Sequence, residues 1–172
     1  MVSSIAIGQI IDELIEREGG YSNRSADSGG PTNWGITLKT LQRVRNNPNL
    51  TSEDVKRLTK DEARMIYQKE YIEVPGYTMI PNDRLKVQLI DFGVNSGPAR
   101  ATKALQRVIG VKDDGQIGPV TLAALTRFGY SKANNLVMRE RILFLGRIVR
   151  DDPTQSENIN GWLIRATEFL IP

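Results

Sequence analysis

Apolar residues recur three and four positions apart along most of this chain, a period typical of helices that bury one face. Near the N-terminus four residues follow this spacing and share one narrow helical face, namely Ile7, Ile11, Leu14 and Glu18. Gly19–Gly20 ends this helix, because glycine adopts the left-handed cap conformation at little cost. The pattern predicts further helices over residues 38–44, 53–58, 60–71, 85–94, 98–108, 119–128, 133–149 and 159–170. We therefore expect a mainly α fold.

Two stretches depart from the amphipathic pattern. Residues 21–36 contain three glycines and a proline with little apolar alternation, which predicts an irregular loop or a small β-hairpin. Residues 85–94 are apolar on nearly all sides, and a helix of this kind is usually buried in the centre of its domain. One such helix would join both halves of the chain in a single core.

The sequence contains neither His nor Cys. Nucleophilic sites that use Cys or His and zinc sites with His ligands are thereby excluded, which leaves carboxylates as the main catalytic option. We expect no metal and no cofactor. The formal net charge of +3 suits an anionic polymer, but the scattered basic residues lack the concentrated patch of a nucleic-acid binder.

Glu18 is the acid whose position favours catalysis. A carboxyl on the core-facing stripe, at a helix end beside a polar loop, is expected to be partly desolvated, which disfavours its charged form. The negative end of the helix dipole acts in the same direction. A protonated Glu can donate its proton to the leaving oxygen of a glycosidic bond. The alternative is a Glu18 that folds back into solvent.

The following loop supplies candidate partners. Asp27, nine residues after Glu18, could hold a water or stabilise an oxocarbenium-like charge; its alternative is a turn residue. Hydroxyl and amide side chains could position that water or bind sugar hydroxyls, with capping and turn roles as alternatives: Thr32, Asn33 and Thr37. Two aromatic residues offer flat faces to sugar rings, with a core role as the alternative: Tyr21 and Trp34.

Two motifs carry a resemblance to a known family. The first runs from Glu18-Gly-Gly-Tyr21 to Asp27-x-Gly-Gly-x-Thr-x-x-Gly-Ile-Thr37, and it resembles the opening of glycoside hydrolase family 108. Members of that family are N-acetylmuramidases, which are lysozymes acting on peptidoglycan. The second motif is similar to the predicted peptidoglycan-binding half of the same family, and it comprises 91–98, 104–106 and 114–122.

The resemblance implies a lysozyme-like, mostly helical fold in which Glu18 is the catalytic acid. Phage-type lysozymes more broadly place eight residues between the catalytic Glu and an Asp, and five between that Asp and a Thr. Asp27 keeps the first spacing, whereas Thr32 comes one residue early. The choice among Thr32, Asn33 and Thr37 therefore stays open. Tyr71 and Asn95 are further candidates for the cleft wall.

From these motifs we expect a catalytic part over 1–83 and a helical, peptidoglycan-binding-like part over 84–172. The second part is expected to complete one lysozyme-like domain, and a separable binding module is the alternative. The expected activity is hydrolysis of the β-1,4 bond between N-acetylmuramic acid and N-acetylglucosamine. Two alternatives are a lytic transglycosylase, and a non-catalytic wall-binding or secretion-accessory module.

The N-terminus has no recognisable signal peptide and is too charged to span a membrane. We therefore expect synthesis in the cytoplasm, no stable membrane insertion, and action on the wall in the periplasm or outside. Release by a holin would suit a phage or prophage endolysin, whereas a bacterial lysozyme would use another export route. We expect a monomer.

Overall fold

The computed structural model describes residues 2–23 and 30–170 of the chain, and it describes side chains from residue 7. These residues fall into two compact units. Ser4–Glu70 forms the first, and the chain from Tyr71 onward, together with the residues before Ser4, forms the second. The predicted division after residue 83 followed the motifs rather than compactness, and it stays a prediction.

The first unit consists of short elements around one apolar core. In chain order they are α1 (Val2–Glu18), β1 (Thr32–Asn33), β2 (Ile36–Thr37), α2 (Leu38–Val44), α3 (Ser52–Lys56) and α4 (Lys60–Gln68). The two strands are antiparallel, with Thr32 opposite Thr37 and Asn33 opposite Ile36. The side chains that form the core are at most 4% exposed: Ile11, Ile15, Ile36, Leu41, Val55, Leu58, Ala63, Ile66 and Tyr67. The predicted mainly α fold with a small hairpin is confirmed.

Local side-chain bonds set the helix starts. The Thr37 hydroxyl accepts a hydrogen bond from the backbone N–H of Thr40 at 3.2 Å, so α2 begins where predicted. Thr59 caps α4 in the same way, but the carboxylate of Glu62 binds Arg45 at 2.6 Å. The spacing of Thr59 and Glu62 also fits a capping box, but the carboxylate of Glu62 forms this long-range ion pair instead.

The end of α4 also differs from its prediction. A single helix was expected over 60–71, but α4 ends at Gln68 and continues as a π-helix over Lys69–Glu73. The wider turn changes the direction in which successive side chains leave the helix. Hydrophobic periodicity does not distinguish the two kinds of turn, because both keep Ile66 and Ile72 buried.

The second unit is a helical bundle. It contains a 3₁₀ turn (Tyr77–Met79), α5 (Asp83–Ser96), α6 (Pro98–Ile109), α7 (Pro119–Phe128), α8 (Tyr130–Asp151), a second 3₁₀ turn (Pro153–Glu157) and α9 (Ile159–Thr167). The long helix α8 packs against α5, α6, α7 and α9. The predicted burial of the central apolar helix is confirmed, since four large side chains of α5 are at most 1% exposed: Leu85, Leu89, Ile90 and Phe92.

One buried amide holds the turn between α6 and α7. The side-chain nitrogen of Gln106 donates to the Asp114 carboxylate at 2.8 Å and to the backbone carbonyl of Gln116 at 2.9 Å. Its oxygen accepts from the backbone N–H of Gly115, also at 2.8 Å. This network accounts for the part of the second sequence motif in which Gln106 stands eight residues before Asp114-Gly115.

Candidate active site

Glu18 is the last residue of α1, and its side chain is exposed. The buried face of the helix stops one turn earlier, where Leu14 and Ile15 are 7% and 0% exposed. Gly19 then turns the chain with φ +71°, and its N–H closes the helix on the carbonyl of Ile15 at 3.2 Å. The expected partial desolvation of Glu18 by the fold is therefore wrong, because the position continues the core stripe beyond the packed part of the helix.

The stem of Glu18 nevertheless has a defined neighbour, the backbone of Gly35. A Cβ added to Gly35 would lie 2.8 Å from Cγ and 3.1 Å from Cβ of Glu18, and it would overlap the hydroxyl of Tyr67. Gly35 also has φ +75°, a conformation that side chains disfavour. Only glycine fits there without displacing a neighbour. The base of the Glu18 side chain is therefore held, while the residue as a whole stays exposed.

Trp34 precedes Gly35 and shares its unusual backbone. Its φ is +53°, so both central residues of the β1–β2 hairpin have positive φ, as in a type I′ turn. For a residue as large as tryptophan this conformation is strained by roughly 1–3 kcal/mol. Asn or Gly is the usual occupant of such a position.

Three hydrogen bonds hold Trp34 in this conformation. Its backbone N–H donates to the carbonyl of Gly19 at 3.0 Å, and its carbonyl accepts from the Tyr67 hydroxyl at 3.0 Å. Its indole N–H donates to the carbonyl of Leu58 at 3.2 Å. The hairpin is thereby tied to the end of α1, to α4 and to the segment after α3.

Asn33 is 4% exposed and serves the same hairpin. Its amide nitrogen lies 3.0, 3.2 and 3.2 Å from the carbonyl oxygens of Val55, Lys56 and Leu58. Carbonyls at a helix end lack partners within the helix, and here the amide of Asn33 supplies one. This nitrogen is consequently engaged in holding β1 to the end of α3.

The other predicted loop residues have varied surroundings. Thr32 is half-buried, and its backbone exchanges two hydrogen bonds of 2.8 Å with Ser22. Thr37 caps α2, as described above. Tyr21 is 38% exposed and leaves its ring accessible. Asp27 lies outside the described residues.

Tyr71 and Asn95 belong to the second unit. Tyr71 is half-buried in the π-helix, and Asn95 is exposed near the end of α5, where its amide donates to the carbonyl of Asp91 at 2.7 Å. Within the first unit, the fold brings Glu18 together with the turn formed by Trp34 and Gly35. The prediction had not assigned a role to Gly35 or to Tyr67.

Sequence signals for those two residues were weak. Gly35 belongs to the first motif, but a glycine there is explained equally well by any turn. Tyr67 lies on the apolar face of α4 with Ala63 and Ile66, which indicates burial. Its hydroxyl partner, Trp34, is 33 residues away in the sequence, so no local pattern identifies it.

Comparison with known proteins gives two family matches and several similar solved structures. Residues 11–97 match the glycosyl hydrolase 108 family, and residues 100–167 match a family described as a predicted peptidoglycan domain. Twelve solved chains match, among them the structure of Brucella abortus SagA. That chain is 32% identical over 95% of this chain and 94% of its own, with a TM-score of 0.72. No curated protein matches. The predicted lysozyme-like helical fold is confirmed.

Proposed function

Because this chain belongs to the glycosyl hydrolase 108 family, we propose that it is an N-acetylmuramidase in which Glu18 is the proton donor. It is a glycoside hydrolase acting on peptidoglycan. The proposal specifies the bond that is cleaved, the β-1,4 linkage between N-acetylmuramic acid and N-acetylglucosamine. It also specifies Glu18 as the acid that protonates the oxygen of this bond.

One observation supports the choice of Glu18 most directly. Its stem packs against Gly35, where no larger residue fits, yet the residue stays exposed. A general acid needs both properties, because it must come within hydrogen-bond distance of the glycosidic oxygen and must be ordered when it does. An exposed carboxyl is also open to a polymeric substrate, which no enclosed pocket could admit.

Glu18 is exposed in the free protein, so water must be excluded from the reacting atoms by the substrate itself. Bound sugar rings would cover the carboxyl and leave it beside the glycosidic oxygen. Glu18 then transfers its proton to the leaving oxygen as the bond between that oxygen and the muramic acid C1 breaks. A water then adds to C1, and the proton that it loses passes to solvent, from which the carboxylate of Glu18 is protonated again. We assign the orientation of this water, or stabilisation of the charge at C1, to Asp27.

Some of the other residues predicted to contact the substrate already use their side chains in bonds within the protein. We retain Tyr21 and Thr32 as substrate contacts, whereas Tyr71 and Asn95, which belong to the second unit, stay predictions from the sequence. The hydroxyl of Thr37 and the amide nitrogen of Asn33 are engaged in capping and hairpin bonds. Trp34 contributes through its backbone, which places Gly35 against Glu18.

The biological setting is also a proposal. A small peptidoglycan hydrolase suits a phage or prophage endolysin that acts as a monomer after release by a holin. None of the helices in the described part of the chain has the length and apolarity needed to cross a bilayer. The formal net charge of +3 favours adsorption to an anionic wall, and added salt should weaken that adsorption.

The test is digestion of purified cell walls by Glu18→Gln, with Glu16→Gln as the matched control. Glu16 is on the same helix, is exposed and forms a surface ion pair with Lys60 at 3.3 Å. We expect Glu18→Gln to lower the lytic rate at least ~100-fold, in line with loss of a general acid, and Glu16→Gln to leave it unchanged. Near wild-type lysis by Glu18→Gln would refute the assignment.

Mass spectrometry of the released muropeptides identifies the reaction. Reducing ends of N-acetylmuramic acid are expected for hydrolysis at the proposed bond. Anhydro ends would instead identify a lytic transglycosylase. Wall binding without any soluble product would identify a non-catalytic module.

A further inference from the structure

The second unit contains a buried charge cluster that the proposed cleavage does not use. Asp91 on α5 is 2% exposed, and it lies between Arg141 on α8 and Arg165 on α9. Nη2 of Arg141 is 2.7 Å from one carboxylate oxygen, and Nε of Arg165 donates to the other at 2.7 Å. Two guanidinium groups thus share one carboxylate.

Arg141 has a donor left over. Its side chain is 3% exposed, and within the described part of the chain its Nη1 group has no hydrogen-bond partner. The guanidinium lies over the ring of Phe92, 5.5 Å from the centroid, which provides no acceptor oxygen. Buried donors without partners are rare and call for an explanation, such as a water, an ion or a functional role. Oδ2 of Asp91, beside Arg141, likewise has no hydrogen-bond partner in the described part of the chain.

A cavity of about 90 Å³ adjoins the cluster. Arg141 and Arg165 line it together with Asn95, and its apolar wall is formed by Leu145, Ile148 and Trp162. A single water needs roughly 10–15 Å³ of such space, so the cavity has room for a planar group of several atoms. Its lining combines guanidinium donors with an aromatic and aliphatic side.

We propose that this cavity binds a carboxylate of the peptidoglycan stem peptides. The guanidinium groups of Arg141 and Arg165, which line the cavity, attract the carboxylate, because a planar guanidinium matches a carboxylate in charge and shape. Trp162 and its aliphatic neighbours contact the adjoining carbon atoms of the peptide. The proposal depends on peptidoglycan being the polymer and does not depend on Glu18 being the acid.

The charges near the cavity are compatible with an anion. Asp91 balances one of the two guanidinium groups, and Glu168, which also acts on Arg141, is exposed and therefore well screened. Burial lowers the pKa of Arg141, an effect that Asp91 opposes. A bound carboxylate would add a second negative charge beside this guanidinium and would favour its charged form.

The test is a titration with a synthetic stem pentapeptide that has free carboxyl groups, followed by NMR at the indole N–H of Trp162. The fully amidated peptide and inorganic phosphate are titrated in parallel. The protein carries Glu18→Gln, so that the result is independent of bond cleavage. We expect saturable shifts with the free peptide and at least about tenfold weaker binding of the amidated peptide.

Two variants on neighbouring helical surfaces complete the experiment. Arg165→Gln should weaken binding of the free peptide about tenfold or more, since it removes one of the two guanidinium groups proposed to bind the carboxylate. Arg139→Gln is the matched control, because Arg139 is exposed on α8 and lies outside the cavity lining. It should bind as the parent protein does.

Three results would overturn the proposal: equal binding of the free and amidated peptides, no shift at Trp162, or tighter binding of phosphate than of the peptide. The first two would leave the cavity as a water site, and the third would identify a phosphate-bearing polymer. The comparison of free with amidated peptide uses a single protein, so it tests the proposal even if Arg165→Gln fails to fold. Wall digestion by the Glu16 and Glu18 variants tests the acid separately.

Discussion

The backbone of Gly35 touches the stem of Glu18 so closely that a methyl group at position 35 would stand 2.8 Å from Cγ of the glutamate. The contact joins the tip of the only hairpin in the described residues to the last residue of α1. A change at position 35 should therefore alter the placement of the proposed acid without altering its chemistry.

Gly35→Ala is expected to lower kcat for wall hydrolysis about tenfold or more with little change in KM, because a displaced acid loses alignment. Gly30→Ala is the matched control. Gly30 has a similar φ of +68°, and no atom of the described residues lies within 4 Å of an added Cβ, so Gly30→Ala reports the backbone strain of about 1–2 kcal/mol. Equal kcat values for the two variants would show that Gly35 does not position Glu18.

Tyr67→Phe should partly relieve the effect of Gly35→Ala. Alone, it removes the hydrogen bond from the hydroxyl to the carbonyl of Trp34 and should reduce the free energy of unfolding by about 1 kcal/mol. In the double variant, the atom that the new methyl group overlaps is absent. Urea unfolding is measured for the parent, Gly35→Ala, Tyr67→Phe and the double variant. The double variant should lose less free energy of unfolding than the two single variants lose in sum.

Asn33→Ala should reduce the free energy of unfolding by about 1–2 kcal/mol, because the carbonyls of Val55 and Leu58 each lose one of their donors. Asn33→Asp is expected to destabilise the protein more, although it is nearly the same size. A carboxylate there cannot donate and would face the oxygens of Val55 and Leu58. Thermal melts of both variants give the order, and a more stable Asp variant would contradict the bonding described.

Asp114 should make folding sensitive to acid. The amide of Gln106 and the backbone N–H of Gln116 bind its carboxylate and lower its pKa below the ordinary value. A lowered pKa in the folded state adds stability above the unfolded value of about 3.9, and this stability is lost as the pH falls through the folded pKa. The difference in urea midpoint between the parent and Asp114→Asn should therefore shrink as the pH is lowered from neutral. A constant difference would contradict the linkage.

The sequence was most informative where structure depends on neighbours along the chain. Pro98 and Pro119 open their helices as predicted, and Thr37 caps α2, because each of these signals acts within one turn. The burial of α5 was also predictable, since its apolar residues cover nearly the whole circumference.

Features that depend on distant residues were not predictable in this way. Arg45 takes the Glu62 carboxylate from 17 residues away, and Arg165 reaches Asp91 across 74 residues. The exposure of Glu18 was unpredictable for the same reason. A helical wheel shows which face of α1 the side chain is on, but it does not show how far along that face other elements pack. The family resemblance identified Glu18 as a candidate, whereas its contact with Gly35 required coordinates.

The positions of the two tryptophans have a practical consequence for spectroscopy. Trp34 lies in the first compact unit and Trp162 in the second, and the chain has no other indole. The tryptophan emission of a protein carrying Trp162→Phe would thus come only from the hairpin, where Trp34 is held by bonds to Gly19, Leu58 and Tyr67. Its fluorescence would follow local opening beside the proposed acid during denaturation, while circular dichroism followed the helices of the whole chain.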